Sequence, residues 1–373
     1  MPRGNAPAER VVVLGGGVIG VSTAAHLRRR GVPAALVTEG ELASGASGRS
    51  LSWLNSAGSR SAPYHALRIA GIDRYRTLFA ADPTREWLRF DGGLCWKSSS
   101  EETQGRHQAE LAHGYESHVL SPHDAALRVP GVAADAVTEA AVHNPGEGWV
   151  SLPHLIEELA AEFVAAGGEL VTGAGRSSVR TAGGRAVGVR TEDGRDVEGD
   201  AVVVACGAQT PEVVAELGGT VPGASPPAML VVTEPTGSEM SAVLNTPRVA
   251  VRPNPGGTFA LDHDWYTDRI TVSATGEYTI DEAVVKELVA EASTVLAGDV
   301  PLAAASWKLG PKPIPGDGEP VFGRLPETPG CYVAFTHSGA TLGLIAGELI
   351  AHELGTGTDH PMLVPFRPER FQR

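Results

Sequence analysis

Three glycines spaced G-x-G-x-x-G, Gly15, Gly17 and Gly20, follow directly on the apolar run Val11-Val12-Val13-Leu14. The chemistry open to that spacing is the holding of a dinucleotide. The first glycine allows a tight turn, and the second lets a pyrophosphate approach main-chain N–H groups at a helix N-terminus. The third lets helix and strand pack closely. An acid at the end of the next strand accepts hydrogen bonds from the ribose, and Glu39 stands nineteen residues after Gly20. Leu42 to Ser50 reads L-A-S-G-A-S-G-R-S, offering unhindered N–H groups and hydroxyls to a phosphate or a flat ring. Cys95, Cys206 and Cys331 lie far apart and match no metal or disulfide spacing, so no metal is expected.

The elements that must position these residues are legible in turn. Val11 to Leu14 reads as a central parallel strand buried on both faces. Val18 to Arg30 carries a helical stripe of Val21, Ala24, Ala25 and Leu27, with Arg28 to Arg30 at the dipole's negative end and Gly31 as its stop. Ala34 to Val37 begins a second strand that runs to Glu39. Helices are expected over Pro63 to Ala81, Glu101 to Gly114, Pro122 to Val129, Pro153 to Ala166 and Asp281 to Leu296. A strand is expected over Phe90 to Lys97. A meander follows, with strands Gly175 to Thr181, Ala186 to Thr191 and Val197 to Val204 separated by Gly-Gly and Asp-Gly turns. Leu230 to Thr233, Arg248 to Arg252, Thr258 to Asp262 and Ile270 to Ser273 suggest a second, antiparallel sheet. Cys331 to Phe335, Thr336 to Leu342 and the apolar stretch to about Glu353 form a last strand–glycine–helix unit.

The chain has 373 residues and a formal net charge of −14, enough for sizeable cores and repulsive to phosphate backbones, so nucleic acid is excluded as a partner. No apolar run reaches the roughly 18 residues of a membrane span, and the polar Met1 to Arg10 has no apolar leader core. A cytoplasmic protein with no membrane partner is expected.

The chain resembles the D-amino-acid oxidase/glycine oxidase/sarcosine oxidase superfamily of FAD-dependent amine oxidoreductases. Four stretches carry the resemblance: V-V-V-L-G-G-G-V-I-G with T-E-G; G-A-S-G-R-S; D-A-V-V-V-A-C-G-A-Q-T from Asp200; and G-P-K-P-I-P-G-D-G-E-P-V-F-G from Gly310, leading into T-H-S-G-A-T-L. The resemblance implies an α/β fold: a two-dinucleotide-fold, Rossmann-like FAD-binding domain interleaved with a smaller antiparallel-sheet substrate domain. The expected division is 1–60, 148–215 and 310–373 for the first, and 61–147 and 216–309 for the second. It implies FAD held by Gly15, Gly17, Val18, Ile19 and Gly20, with Glu39 on the ribose and Ser47, Gly48, Arg49 and Ser50 by the pyrophosphate and flavin. Val179 would meet the adenine and Gly207 would line the groove. Gly339, Ala340, Thr341 and Leu342 would surround the pyrimidine end of the ring, where a helix N-terminus favours developing negative charge.

The implied chemistry is hydride transfer from the carbon beside a neutral amine to flavin N5, giving an imine, with oxygen or another acceptor reoxidising the flavin. Neither the G-A-S-G-R-S loop nor Gly310 to Gly323 offers a residue for covalent attachment, so FAD is expected to be non-covalent. Relatives acting on small amino acids often carry Arg in a G-x-R-P stretch, and here Gly310-Pro311-Lys312-Pro313 stands instead. Only four of the 30 basic residues are lysine, so Lys312 reads as a specific choice, a point charge where a fork would clamp a carboxylate. Lys308, four residues earlier and on the same face of an extended strand, is a candidate for oxygen activation or a solvated lysine. His337 either touches substrate or braces its loop. Trp53 walls the pocket or packs in the core. Arg252 and His263 either meet substrate or point outward from the second sheet. His143, in His-Asn-Pro-Gly-Glu-Gly, reads as a surface-loop residue. A flavin monooxygenase and a non-catalytic FAD-binding module are the alternatives; Gly316-Asp317-Gly318 lies in a proline-rich turn unsuited to the first.

Overall fold

The computed structural model describes residues 6–298 and 300–372, so Met1–Asn5 of the N-terminal segment read above lie outside the described residues. The chain folds as two compact units, one of residues 1–48, 152–226 and 311–373, the other of 49–151 and 227–310.

The first unit is built on a six-stranded sheet in the order Val321–Arg324, Cys331–Phe335, Ala201–Val204, Val11–Leu14, Ala34–Val37, Glu169–Val171. Its inner pairs are parallel, with Val11 opposite both Ala201 and Ala34, and only the Val321–Arg324 edge runs antiparallel. Every residue of the three central strands is buried, which explains their unbroken apolar runs. The helix Val18–Arg29 packs closely on the helix Gly339–Thr356, at the far end of the chain. A Cβ on Gly347 would stand 2.2 Å from Ser22 Oγ, so the crossing depends on glycine there. The meander Ser178–Ala182, Arg185–Arg190, Asp196–Glu198 forms its own antiparallel sheet.

The single strand expected over Val197 to Val204 is two strands in two sheets. The chain turns at Gly199-Asp200, where the Asp200 carboxylate accepts the main-chain N–H groups of Glu9 and Arg10 at 3.1 and 2.7 Å. That tie sends Ala201–Val204 into the large sheet and leaves Asp196–Glu198 behind.

The second unit holds an eight-stranded sheet in the order Ala304–Pro311, Pro227–Thr233, Thr258–Asp262, Ala250–Asn254, Val243–Asn245, Gly93–Cys95, Ala141–Asn144, His118–Leu120. It is not wholly antiparallel as expected, because Val243–Asn245 runs parallel to Gly93–Cys95. These strands come from separate chain segments, so no hairpin dictates their direction. Of the strand expected over Phe90 to Lys97 only Gly93–Cys95 forms, after Gly92, whose φ of 87° turns the chain away from the earlier strand Leu88–Arg89. Leu88–Arg89 joins Trp53–Leu54 and Gly148–Val150 in a short sheet that sets Trp149 directly opposite Trp53. Of Ile270 to Ser273 only Thr271–Val272 is a strand, and it pairs with Tyr278–Thr279 outside the large sheet.

Leu94, Trp96, Val231, Leu244, Val251, Phe259 and Leu288 centre this unit's core. The helix Ala62–Ala81 is capped by Ser61 Oγ on the Tyr64 N–H and buries a stripe of Tyr64, Leu67, Arg68, Gly71, Ile72 and Tyr75. A charged residue within that stripe is the first sign that this interior holds polar chemistry. His143 is a correction: it lies on the strand Ala141–Asn144, 5% exposed, and burial pushes its ring down to about 4. The strand runs through His-Asn before Pro145 breaks it, so the turn is shorter than the glycines suggest.

Candidate functional site

In the first unit the strand Val11–Leu14 ends at Gly15, whose φ is 124° and whose absent Cβ would fall 2.3 Å from Ala205 O. A Cβ on Gly20 would stand 2.0 Å from Gly15 O, so turn and helix are in main-chain contact. Gly17, the residue before the helix, has no side chain to cap it. Ser47 reaches this end from the next loop, its Oγ accepting the Val18 N–H at 3.0 Å. Gly48 sits in the turn Ala46–Arg49, where a Cβ would meet Ala43 O at 2.1 Å.

A second helix N-terminus stands beside the first. Ser338 precedes Gly339–Thr356 without a side-chain cap, and a Cβ on Gly339 would lie 3.5 Å from Val18 Cγ1. Two helix N-termini side by side concentrate partial positive charge where an anion can use it. Thr341 and Leu342 are buried behind them, as is Ile19, while Ala340 is half-buried.

Glu39 is exposed two residues beyond the strand Ala34–Val37, which ends earlier than expected. Its main-chain oxygen accepts the Gly175 N–H at 3.0 Å, and among the described residues its carboxylate has no hydrogen bond or ion pair. Val179 is half-buried opposite Val189, and Gly207 opens a short helical turn at φ 55°. Main chain without room for Cβ atoms, two adjacent helix N-termini and an acid without a hydrogen bond or ion pair among the described residues suit a dinucleotide such as FAD. His337 is exposed in the loop before Gly339. Lys312 is half-buried, its main-chain N–H donating to Pro226 O at 2.9 Å.

In the second unit, the Arg49 guanidinium lies against Gly310, where a Cβ would come 2.4 Å from its Cζ. Two of the motifs singled out in the sequence, G-R-S and G-P-K-P, meet at that contact. Ser50 Oγ accepts the Ser52 N–H at 3.1 Å and turns the chain toward Trp53. Lys308 is exposed on the edge strand Ala304–Pro311. That strand ends at Pro311, so the alternation expected to align Lys308 with Lys312 does not run from one to the other. His263 follows the strand Thr258–Asp262, half-buried, and its Nδ1 accepts the Trp265 N–H at 3.3 Å within its own turn.

Arg252 is placed differently. It is 3% exposed on the strand Ala250–Asn254. Its Nη atoms donate to Pro253 O at 2.8 Å and Asn254 Oδ1 at 3.0 Å, and its Nε is buried without a partner. The guanidinium lies 5.0 Å over the Trp149 ring. Among the described residues no carboxylate pairs with it, and burial alone pushes its pKa down to about 9.

Sequence reading missed a polar cluster in the same unit. Glu147 is fully buried, its Oε1 accepting the Tyr115 hydroxyl at 2.8 Å, and burial pushes its carboxyl up to about 8. The Tyr115 oxygen in turn accepts the Ser56 N–H at 3.1 Å. Glu110, also fully buried, accepts Ser117 Oγ at 2.7 Å and Asn144 Nδ2 at 2.8 Å and pairs with Arg106 at 2.9 Å. Arg106 stacks 5.6 Å over Trp53, which is half-buried. The one available signal was Glu147 itself, an acid inside a Gly-Glu-Gly turn between two apolar runs.

Residues 10–353 match the family described as FAD dependent oxidoreductase, DAO. The structure is similar to glycine oxidase from Geobacillus kaustophilus, with TM-score 0.82 over 98% of this chain and 100% of that one at 23% identity. It is likewise similar to L-amino acid deaminase from Proteus myxofaciens, at TM-score 0.82 over 99% and 94% with 18% identity. Iminodiacetate oxidase from Chelativorans sp. BNC1 gives 0.78 over 96% and 98% with 20% identity. In sequence, 160 residues are 34% identical to the tRNA 5-methylaminomethyl-2-thiouridine biosynthesis bifunctional protein of Chromohalobacter salexigens, 42% of this chain and 22% of that longer protein. Among the described residues no helix is long and apolar enough to cross a membrane.

Proposed function

This chain belongs to the DAO family of FAD-dependent oxidoreductases, and from that premise we propose that it oxidises the C–N bond of an amine bearing a carboxylate, giving an imine that water hydrolyses, with oxygen as electron acceptor. The observation that carries this reading is Arg252, a buried guanidinium with no carboxylate of its own. A cation held out of water without a counter-ion is costly, and a substrate carboxylate supplies the missing charge.

FAD, when bound, supplies the two-electron acceptor for hydride leaving the carbon beside the nitrogen. The residues that would hold it are Gly15, Gly17, Val18, Ile19, Gly20, Glu39, Ser47 and Gly48, with Gly339, Ala340, Thr341 and Leu342 at the second helix end. Arg49, Ser50, Val179 and Gly207 complete the proposed set. Arg252 fixes the substrate's carboxylate, and the Trp149 face beneath it restricts the guanidinium to one plane. With orientation supplied this way, no acid–base side chain is required beyond an amine that enters neutral. Lys312 remains a proposed second contact to substrate, and Lys308 a proposed aid to oxygen chemistry.

The test is the visible spectrum of the holoenzyme mixed without oxygen against matched amines with and without a carboxylate. Carboxylate-bearing amines should bleach the flavin band, and Arg252→Met should raise the half-saturating concentration about 10- to 100-fold. Equal bleaching by the carboxylate-free partners would remove Arg252 from the substrate. A flavin reduced by NADPH and by no amine would favour a monooxygenase.

A further inference from the structure

Arg252 is not the only cation in the second unit that lacks a counter-ion. Arg60 and Arg68 hold their guanidinium carbons 5.4 and 5.5 Å from the centroid of one ring, that of Tyr64. Arg68 is 4% exposed and satisfied by Asn55, donating to its main-chain oxygen at 2.9 Å and its Oδ1 at 3.0 Å. Arg60 is half-buried, its Nε shut off from water, and among the described residues it has neither a hydrogen bond nor an ion pair.

The third member is Arg106, whose side chain is 12% exposed. Its pairing with Glu110 leaves Nη2 buried and unpartnered. Arg68 and Arg106 both disfavour the charge on Arg60, so the three guanidiniums feel one another. Against them stand Glu110 and Glu147, and Glu147 is kept largely protonated near neutral pH by its burial. The cluster therefore carries excess positive charge with two guanidinium donors, on Arg60 and Arg106, left open.

Its place in the fold ties it to Arg252. Arg106 lies over Trp53 and Arg252 over Trp149. Those two indoles stand directly opposite one another on paired strands, where facing side chains start about 5 Å apart. Arg252, which has no carboxylate partner among the described residues, and Arg106, whose Nη2 has no hydrogen-bond partner, thus rest on neighbouring indoles.

We propose that Arg60 and Arg106 form a second carboxylate subsite, so that the substrate is an amine carrying two carboxylates, one on Arg252 and a distal one on this pair. The inference rests on the preceding reading of Arg252. Its chemical class is that of acidic amino acids and N-carboxyalkyl amino acids, in which the two anionic groups flank the C–N bond or extend one chain beyond it.

The experiment uses the FAD-loaded protein and reads binding apart from turnover. Glutarate and butyrate, neither of which can be oxidised at a C–N bond, are titrated while the flavin spectrum and heat of binding are followed. The expected result is a preference for glutarate that Arg60→Gln reduces about 10- to 100-fold and Arg60→Lys restores in part. The same preference should appear for glutamate over norvaline in the half-saturating concentration for bleaching. Equal binding of glutarate and butyrate by the wild-type protein, or a preference that Arg60→Gln leaves intact, would overturn the subsite. Glutarate binding that depends on Arg60 while no amine bleaches the flavin would support the subsite and overturn amine oxidation. Amine bleaching with no preference for the second carboxylate would do the reverse.

Discussion

At Gly15, Gly17, Gly20 and Gly48 the first unit presents main-chain donors by leaving side chains out. The second unit brings Arg60, Arg68, Arg106 and Arg252 inward and leaves part of their charge without an answer. The first arrangement is tolerant of chemistry and intolerant of volume, since a single Cβ would strike backbone at 2.0 to 2.3 Å at three of those glycines. The second tolerates changes of shape better than changes of charge. A cofactor common to many reactions can be held by geometry alone, whereas discrimination between substrates needs side chains held at an energetic cost.

The most severe way to break this contrast is to add volume to the cradle. Gly15→Val places a side chain at φ 124° against Ala205 O, a cost on the order of 3 kcal/mol or more. The purified variant should carry no flavin by its absorbance ratio. Gly17→Ala, which meets only the movable Ser47 Oγ at 3.2 Å, should fold and bind flavin more weakly. Full flavin occupancy in Gly15→Val would refute the packing argument.

Next in size is a charge effect in the other unit. The Glu147 carboxyl lies at about 8 when folded against 4.5 when free, with Tyr115, Arg106, Glu110 and Trp53 around it. The folded state therefore keeps a proton that the unfolded chain releases. The stability this gives is complete below pH 4.5 and lost as pH rises through 8. Urea unfolding should show a fall on the order of 3 kcal/mol across that window. Glu147→Gln should flatten the slope, and an unchanged slope would show that other groups set it.

Arg252 sharpens the comparison from the stability side. Replacing an uncompensated buried cation by Met should stabilise the ligand-free protein by about 1 kcal/mol while weakening carboxylate binding. A lower melting temperature would mean that the fold, and not the ligand, uses the charge. The smallest effect belongs to Ser47→Ala, which removes the 3.0 Å contact to the Val18 N–H. It should cost about 1 kcal/mol of flavin affinity, measured by titrating apoprotein with FAD.

The same contrast explains what could be read from the chain. Gly15 to Gly20, the strand before them and Glu39 after them are neighbours in sequence, so local spacing carried the cradle. The motifs at Asp200 and Gly310 extended that reading to the far end of the chain. Arg60, Arg106, Glu147 and Arg252 come from separate stretches of chain, and Trp53 pairs with Trp149 across nearly a hundred residues. No periodicity links them, and each alone looks like an ordinary polar residue. The break at Gly199-Asp200 went unseen because its cause is the distant N–H of Arg10. The parallel pairing of Val243–Asn245 with Gly93–Cys95 has no local signature either, since no turn joins the two.

The contact of Gly339 with Val18, and the crossing of Gly347 over Ser22, also constrain the order in which the protein can be made. A ribosome emits Val18 some three hundred residues before Gly339, and until then the first helix end has no companion and its packing face no cover. With FAD held as proposed, its capture waits for the helix Gly339–Thr356 to be made. On that site, flavin uptake would report that synthesis has passed Thr356.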